Sequence, residues 1–153
     1  RRAYRDGRIL QETERYAGTV MIRRRHIYTA LFCLYILAVC FLCFTKGEQL
    51  PDVPSTWFGL PADKVAHFIM FLPYTPLAYL TFAPEKGNIW RKIAVIMISA
   101  TIGFGLAVAT ERIQGILGYR AEDALDIFSD SIGLGAGTAI TVITATVQHM
   151  RRL

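Results

Sequence analysis

Four runs of this chain, at 27–44, 65–82, 93–109 and 127–147, carry one formally charged residue among them, Asp130. Each is close to the roughly 20 residues that cross a ~30 Å hydrocarbon layer as an α-helix. A helix on the surface of a soluble bundle needs a polar stripe along its outer face, and the first, third and fourth runs have none. The apolar fraction of 53% also exceeds the roughly 45–50% usual for soluble domains. These runs predict an all-α, polytopic membrane protein of four transmembrane helices, and a length of 153 residues allows one domain at most.

The distribution of charge matters more than its net value of +5. Arg1, Arg2, Arg5, Arg8, Arg15, Arg23, Arg24 and Arg25 precede the first run, Lys86, Arg91 and Lys92 lie between the second and third, and Arg151 and Arg152 follow the fourth. Thirteen of seventeen basic residues thus fall on one side if each run crosses once. The other side carries Lys46, Lys64, Arg112 and Arg120 against eight acids: Glu48, Asp52, Asp63, Glu111, Glu122, Asp123, Asp126 and Asp130. The positive-inside rule then predicts a multi-pass protein of the cell inner (cytoplasmic) membrane, with both termini cytoplasmic and the acidic stretches outside. No nucleic-acid motif competes for the basic residues. Cys33, Cys40 and Cys43 all fall in the first run, where they read as small apolar residues rather than a disulfide framework.

Residues 1–20 are polar and of mixed charge, and Met21 followed by Ile-Arg-Arg-Arg reads as a natural start before a first span. The tail is therefore set aside, and the membrane domain is taken as 21–153. A cleaved signal peptide over 21–45 fits less well, because the apolar run is too long and lacks a small-x-small site. Residues 45–62 carry three prolines and a Trp57-Phe58 pair. Such irregular backbone belongs outside lipid, with the aromatic pair at the interface. The basic stretch 84–92 reads as a short cytoplasmic turn. Pro73 and Pro76 predict a kink deep in the second span.

The polar residues at the acidic side have helical spacing. Asp63 and His67 are four apart at the start of the second span, with Lys64 three residues before His67. Asp63 alone fits a helix start, and Lys64 alone fits snorkelling. A histidine one turn deeper needs a partner. Glu111 and Gln114 share a face if the third helix continues past its apolar run, beyond which Gly115 and Gly118 would loosen the backbone. Arg120, Asp123, Asp126 and Asp130, spaced three, three and four, predict one face of the fourth helix and its lead-in. Gly133 and Gly137 extend that face as a GxxxG, a close-packing signature. Contact through the glycines would carry the acids into the bundle, to be met by Arg120, Lys64, His67, Gln114 or water. Arg112 and Glu122 fall off this face and read as solvated.

In order and spacing, Asp63-Lys64-x-x-His67-Phe68, Glu111-x-x-Gln114, Arg120-x-x-Asp123-x-x-Asp126 and Gly133-x-x-x-Gly137 together resemble the VanZ-like family, over residues 22–147. The resemblance implies a small integral membrane protein of the kind associated with resistance to the glycopeptide teicoplanin, and makes 21–153 a VanZ-like domain. One departure is Asp130, where the family usually has Asn.

The expected function is an outward-facing polar pocket for a cell-wall or lipid-linked precursor that influences teicoplanin susceptibility. The alternative is a membrane-embedded hydrolase or transferase acting on a lipid-linked phosphate. Asp63, His67, Glu111, Asp123 and Asp126 offer oxygen and nitrogen ligands to a divalent metal, yet no specific metal or catalytic motif is present, and no cofactor is expected. A third reading has Arg120 and Lys64 merely neutralising the acids and locking the helices. Four spans without a visible inverted repeat leave little room for a transport pathway unless the protein forms an oligomer. The partner expected with least ambiguity is the lipid bilayer.

Overall fold

In the computed structural model, residues 2–45, 55–57, 59–84, 88–118 and 123–151 are described. The elements are α1 (Arg2–Phe44), β1 (Thr56–Trp57), β2 (Leu60–Pro61), α2 (Ala62–Phe71), α3 (Tyr74–Phe82), α4 (Ile89–Leu117) and α5 (Ala124–Met150). Four stretches are long and apolar enough to cross a membrane: Ile22–Phe44, Ala62–Phe82, Ile89–Leu117 and Ala124–Met150. The expected all-α, four-helix membrane architecture is therefore present. Its outer surface is strongly apolar, with Leu37, Phe41, Ile98 and Ile143 each more than three-fifths exposed. Such continuous apolar cover is what hydrocarbon solvates and water does not.

Each crossing extends beyond its apolar run. In α1, the helix continues without a break from Arg2 through the polar residues set aside above. Between Thr45 and Ala62 the described part is a short antiparallel pair, with Trp57 opposite Leu60 and Thr56 opposite Pro61. It turns at Gly59, whose φ of 78° suits a residue without Cβ. Phe58 lies outside the described residues.

The second crossing is two helices, broken at Leu72 and Pro73. Pro73 has no N–H to donate and its ring crowds the preceding turn, so the expected kink takes the form of a restart. The backbone of α4 begins at Ile89, behind an Asn88 side chain that accepts from Trp90 N–H at 3.2 Å. Lys92 is consequently not part of a turn but 4% exposed within the helix. At its other end α4 continues through Gly115 and stops at Gly118, which adopts φ 67° as a left-handed cap.

Helices α2 and α5 run parallel and in close contact. A Cβ built on Gly133 would collide with the Phe68 carbonyl, and one on Gly137 with the Leu72 carbonyl. The glycine pair is thus the seam on which α5 meets the backbone of α2. Thr75 and Thr138 hydrogen-bond across the same seam at 3.0 Å. The core beneath is formed by Phe71, Tyr74, Ala107 and Leu134. Gly103 of α4 admits the Tyr74 ring and Leu134, which a Cβ there would meet at 2.7–2.8 Å. Tyr35 ties α1 to this core by donating to the Met70 carbonyl at 2.6 Å.

Candidate functional site

The parallel seam of α2 and α5 decides which side chains meet at the end of the bundle where both helices begin. Lys64, in the first turn of α2, points its ammonium among three carboxylates. Asp126 lies 2.5 Å away, Asp63 3.1 Å away, and Asp123 also accepts from it. One turn deeper, His67 sits between two more contacts. Its Nδ1 is 2.9 Å from Asp130 Oδ1 and its Nε2 is 3.6 Å from Asp126 Oδ2. Asp126 therefore bridges the lysine and the histidine.

Burial increases steadily along this set. The Asp63 and Asp123 side chains are 39% and 41% exposed, Lys64 16%, Asp126 7% and Asp130 1%. Charged groups withdrawn from water to this extent must be paired and hydrogen-bonded, and every buried polar atom among the described side chains has a partner. Among the described residues the carboxylates of Asp63, Asp123, Asp126, Asp130 and Glu111 gather around one ammonium, Lys64, and the imidazole of His67.

Helix ends supply the rest of the geometry. Asp123 is the N-cap of α5, in extended conformation (φ −125°, ψ 113°), with its Oδ1 accepting from Leu125 N–H at 2.9 Å. An N-cap aspartate offsets the unpaired N–H groups of the first turn. The expected face is therefore corrected at Asp123, which caps α5 instead of continuing its helical path, while Asp126 and Asp130 project from the helix itself. Glu111, 2% exposed near the end of α4, accepts the backbone N–H of Asp123 at 2.7 Å. It anchors the point where the chain turns into α5.

Gln114 departs from the role anticipated for it. It lies on the buried face of α4 with Glu111, but its Nε2 donates to the Cys43 carbonyl of α1 at 2.5 Å. Among the described residues it meets no acid. Its contribution is to satisfy a carbonyl near the end of α1, where the helix has no further N–H to offer. Arg120 and Glu122 lie outside the described residues. Arg112 is exposed and engaged in an interaction of its own.

Seven of the nine polar candidates thus form one connected cluster: Asp63, Lys64, His67, Glu111, Asp123, Asp126 and Asp130. The lysine already occupies the position where carboxylates converge. Among the described residues no group of three or more His, Cys, Asp and Glu side chains is placed to hold a metal ion. The hydrogen bond from Lys64, with the Leu125 N–H, holds the Asp123 carboxyl below its ordinary range.

Two participants escaped the sequence reading. The Cys43 carbonyl has no side-chain signal at all. The capping role of Asp123 had one, an aspartate immediately before a helical run with a second acid three residues on. No family model matches the chain, and no curated protein or solved structure shows significant similarity to it.

Proposed function

We propose that this chain is a VanZ-like protein of the cell inner membrane whose outward-facing carboxylate cluster binds the headgroup of a cell-envelope or lipid-linked precursor and so influences susceptibility to teicoplanin. The order of motifs from Asp63 to Gly137 supports the family, and the segregation of basic and acidic ends supports the orientation.

The observation that carries the binding role is the gradient of exposure. A ligand arriving from the membrane face meets the Asp63 and Asp123 carboxylates first, while the Lys64 ammonium is already saturated by oxygen. The rim thus offers acceptors. It complements hydroxyl, amide and ammonium donors, as a glycopeptide-type precursor carries, better than it complements a bare phosphate. A headgroup of that kind would displace rim water and add hydrogen bonds without breaking the buried part of the cluster.

His67 supports a second reading. A histidine held by Asp130 on one nitrogen and near Asp126 on the other has the oriented arrangement of a general base, as a hydrolase or transferase acting on a lipid-linked phosphate would need. The described carboxylates oppose it, since among the described residues of the rim a phosphate would approach Asp63 and Asp123 before the Lys64 ammonium that they already bind.

The test is expression of wild type, Asp63→Asn and Asp123→Asn in a teicoplanin-susceptible bacterium, scoring folded protein and drug susceptibility separately. Both variants are expected to fold and to lose the wild-type shift in susceptibility. Retention of that shift with the rim neutralised rejects the binding role. Phosphate release from a polyprenyl diphosphate by purified protein, abolished by His67→Gln, would favour the enzyme instead.

A further inference from the structure

At the opposite end of the bundle, the described residues give Lys92 no counterpart to the network around Lys64. It lies on the buried seam of α4 that continues through Ile96, Ser99, Gly103 and Ala107. It is 4% exposed, yet among the described residues it has no hydrogen bond or ion pair. An ammonium withdrawn from water without a partner is costly. No fully buried polar side-chain atom among the described residues lacks a partner, so the tip of Lys92 reaches the surface, where a group from beyond the chain can meet it.

A cavity of about 420 Å³ lies beside the same seam, between α1, α3 and α4. Phe32, Tyr74, Phe82, Val95, Ser99 and Ile102 are among its walls. It lies where α1 packs more extensively on α3 than on α4. The Phe32 ring stands edge-on to Phe82 and Tyr74, with centroids 5.6 and 5.7 Å apart, and holds that side open. Phe82 and Ile102 are more than half exposed, so the cavity opens on the apolar exterior rather than toward the acidic cluster. Val95, Ser99 and Ile102 follow Lys92 at three, seven and ten residues, which places all four along one side of α4. The basic residue thus lies about one turn of α4 before Val95, just outside the walls of the slot.

We infer that this slot seats one anionic phospholipid, its acyl chain between α1, α3 and α4 and its phosphate on Lys92. Apolar walls open to hydrocarbon match an acyl chain. The ammonium, without a partner among the described residues, matches a phosphate at the headgroup level, with Arg91 as an exposed neighbour. A zwitterionic lipid places a cation beside its own phosphate and gains less. The seat is independent of the acidic cluster and of any role assigned to that cluster.

The test uses the full chain in detergent, titrated with phosphatidylglycerol or phosphatidylcholine and read by native mass spectrometry, with circular dichroism reporting the fold. Wild type is expected to retain phosphatidylglycerol over phosphatidylcholine by about fivefold, the weight of one lysine at a membrane surface. Lys92→Gln is expected to remove that preference, while Arg91→Gln keeps it. Val95→Trp, which fills the slot from its wall, is expected to reduce retention of both lipids. Equal retention of the two lipids by wild type, or a preference that survives Lys92→Gln in folded protein, overturns the seat. So does an equal loss in Arg91→Gln, which would reduce Lys92 to a snorkelling residue within a diffuse basic surface.

Discussion

Lys64 holds three carboxylates on a single ammonium, and removing that ammonium leaves Asp126 buried beside its neighbours. Lys64→Met is therefore expected to lower stability by about 3–5 kcal/mol, the cost of leaving a buried charge without its partner. Adding Asp126→Asn should recover part of the loss, measured as thermal unfolding in detergent. Asp123 gives a test by pH. Its carboxyl lies below its ordinary value of 3.8 because Lys64 bonds its ionised form. The pair thus adds stability that is fully present above that value and lost as pH falls through the lowered one. Asp123→Asn keeps a competent helix cap and removes only the charge. Wild type should be the more stable at neutral pH, and the gap should close in acid; a gap independent of pH would show that the Asp123 charge is not its source. At this scale the sequence carried most of the cluster, because helical spacing selects residues on one face. It could not carry Gln114 to its partner, because the Cys43 carbonyl belongs to the backbone. Nor did it show Lys92 as buried, since a lysine beside Arg91 at the edge of an apolar run reads as solvated.

At the scale of elements, the register of α2 against α5 decides whether the site exists. Gly133 and Gly137 rest on the Phe68 and Leu72 carbonyls, and those contacts set Lys64 level with Asp126 and His67 level with Asp130. Gly133→Ala or Gly137→Ala must push backbone from backbone, a strain expected to cost about 1–3 kcal/mol. Gly105, which has open space where a Cβ would go, serves as the control. Gly105→Ala should be neutral or gain up to about 1 kcal/mol from helix propensity. Equal effects at all three positions in unfolding experiments would remove the glycine seam from the explanation. The spacing of the two glycines and the acids above them was legible as one face, and so was the break at Pro73. The start of α5 was not, because Asp123 leaves the helical path to cap it, and residues three apart share a face only where the backbone is helical.

Across the whole molecule, charge and hydropathy divide the chain into an apolar girdle with unlike ends. Arg23, Arg24, Arg25, Arg91, Lys92 and Arg151 fall at one end by connectivity, and the carboxylate cluster falls at the other. The four crossings and this polarity were legible from residue order alone, because hydrocarbon admits few charges and each crossing reverses direction. The cavity beside Lys92 was not, because it depends on how far apart the helices settle. In the proposed function the acidic end presents acceptors to an arriving headgroup, and its burial gradient would let the outer carboxylates change without dismantling the inner ones. The proposed binding role depends on that separation of rim from core. Its most direct test is equilibrium binding of a lipid-linked disaccharide-peptide precursor to the purified chain in nanodiscs, compared between wild type and the double variant Asp63→Asn, Asp123→Asn. Saturable binding by wild type, weakened at least about tenfold (roughly 1.4 kcal/mol) in a double variant that remains folded, is the expected result. Absence of binding to wild type, or equal affinity in both proteins, would contradict it.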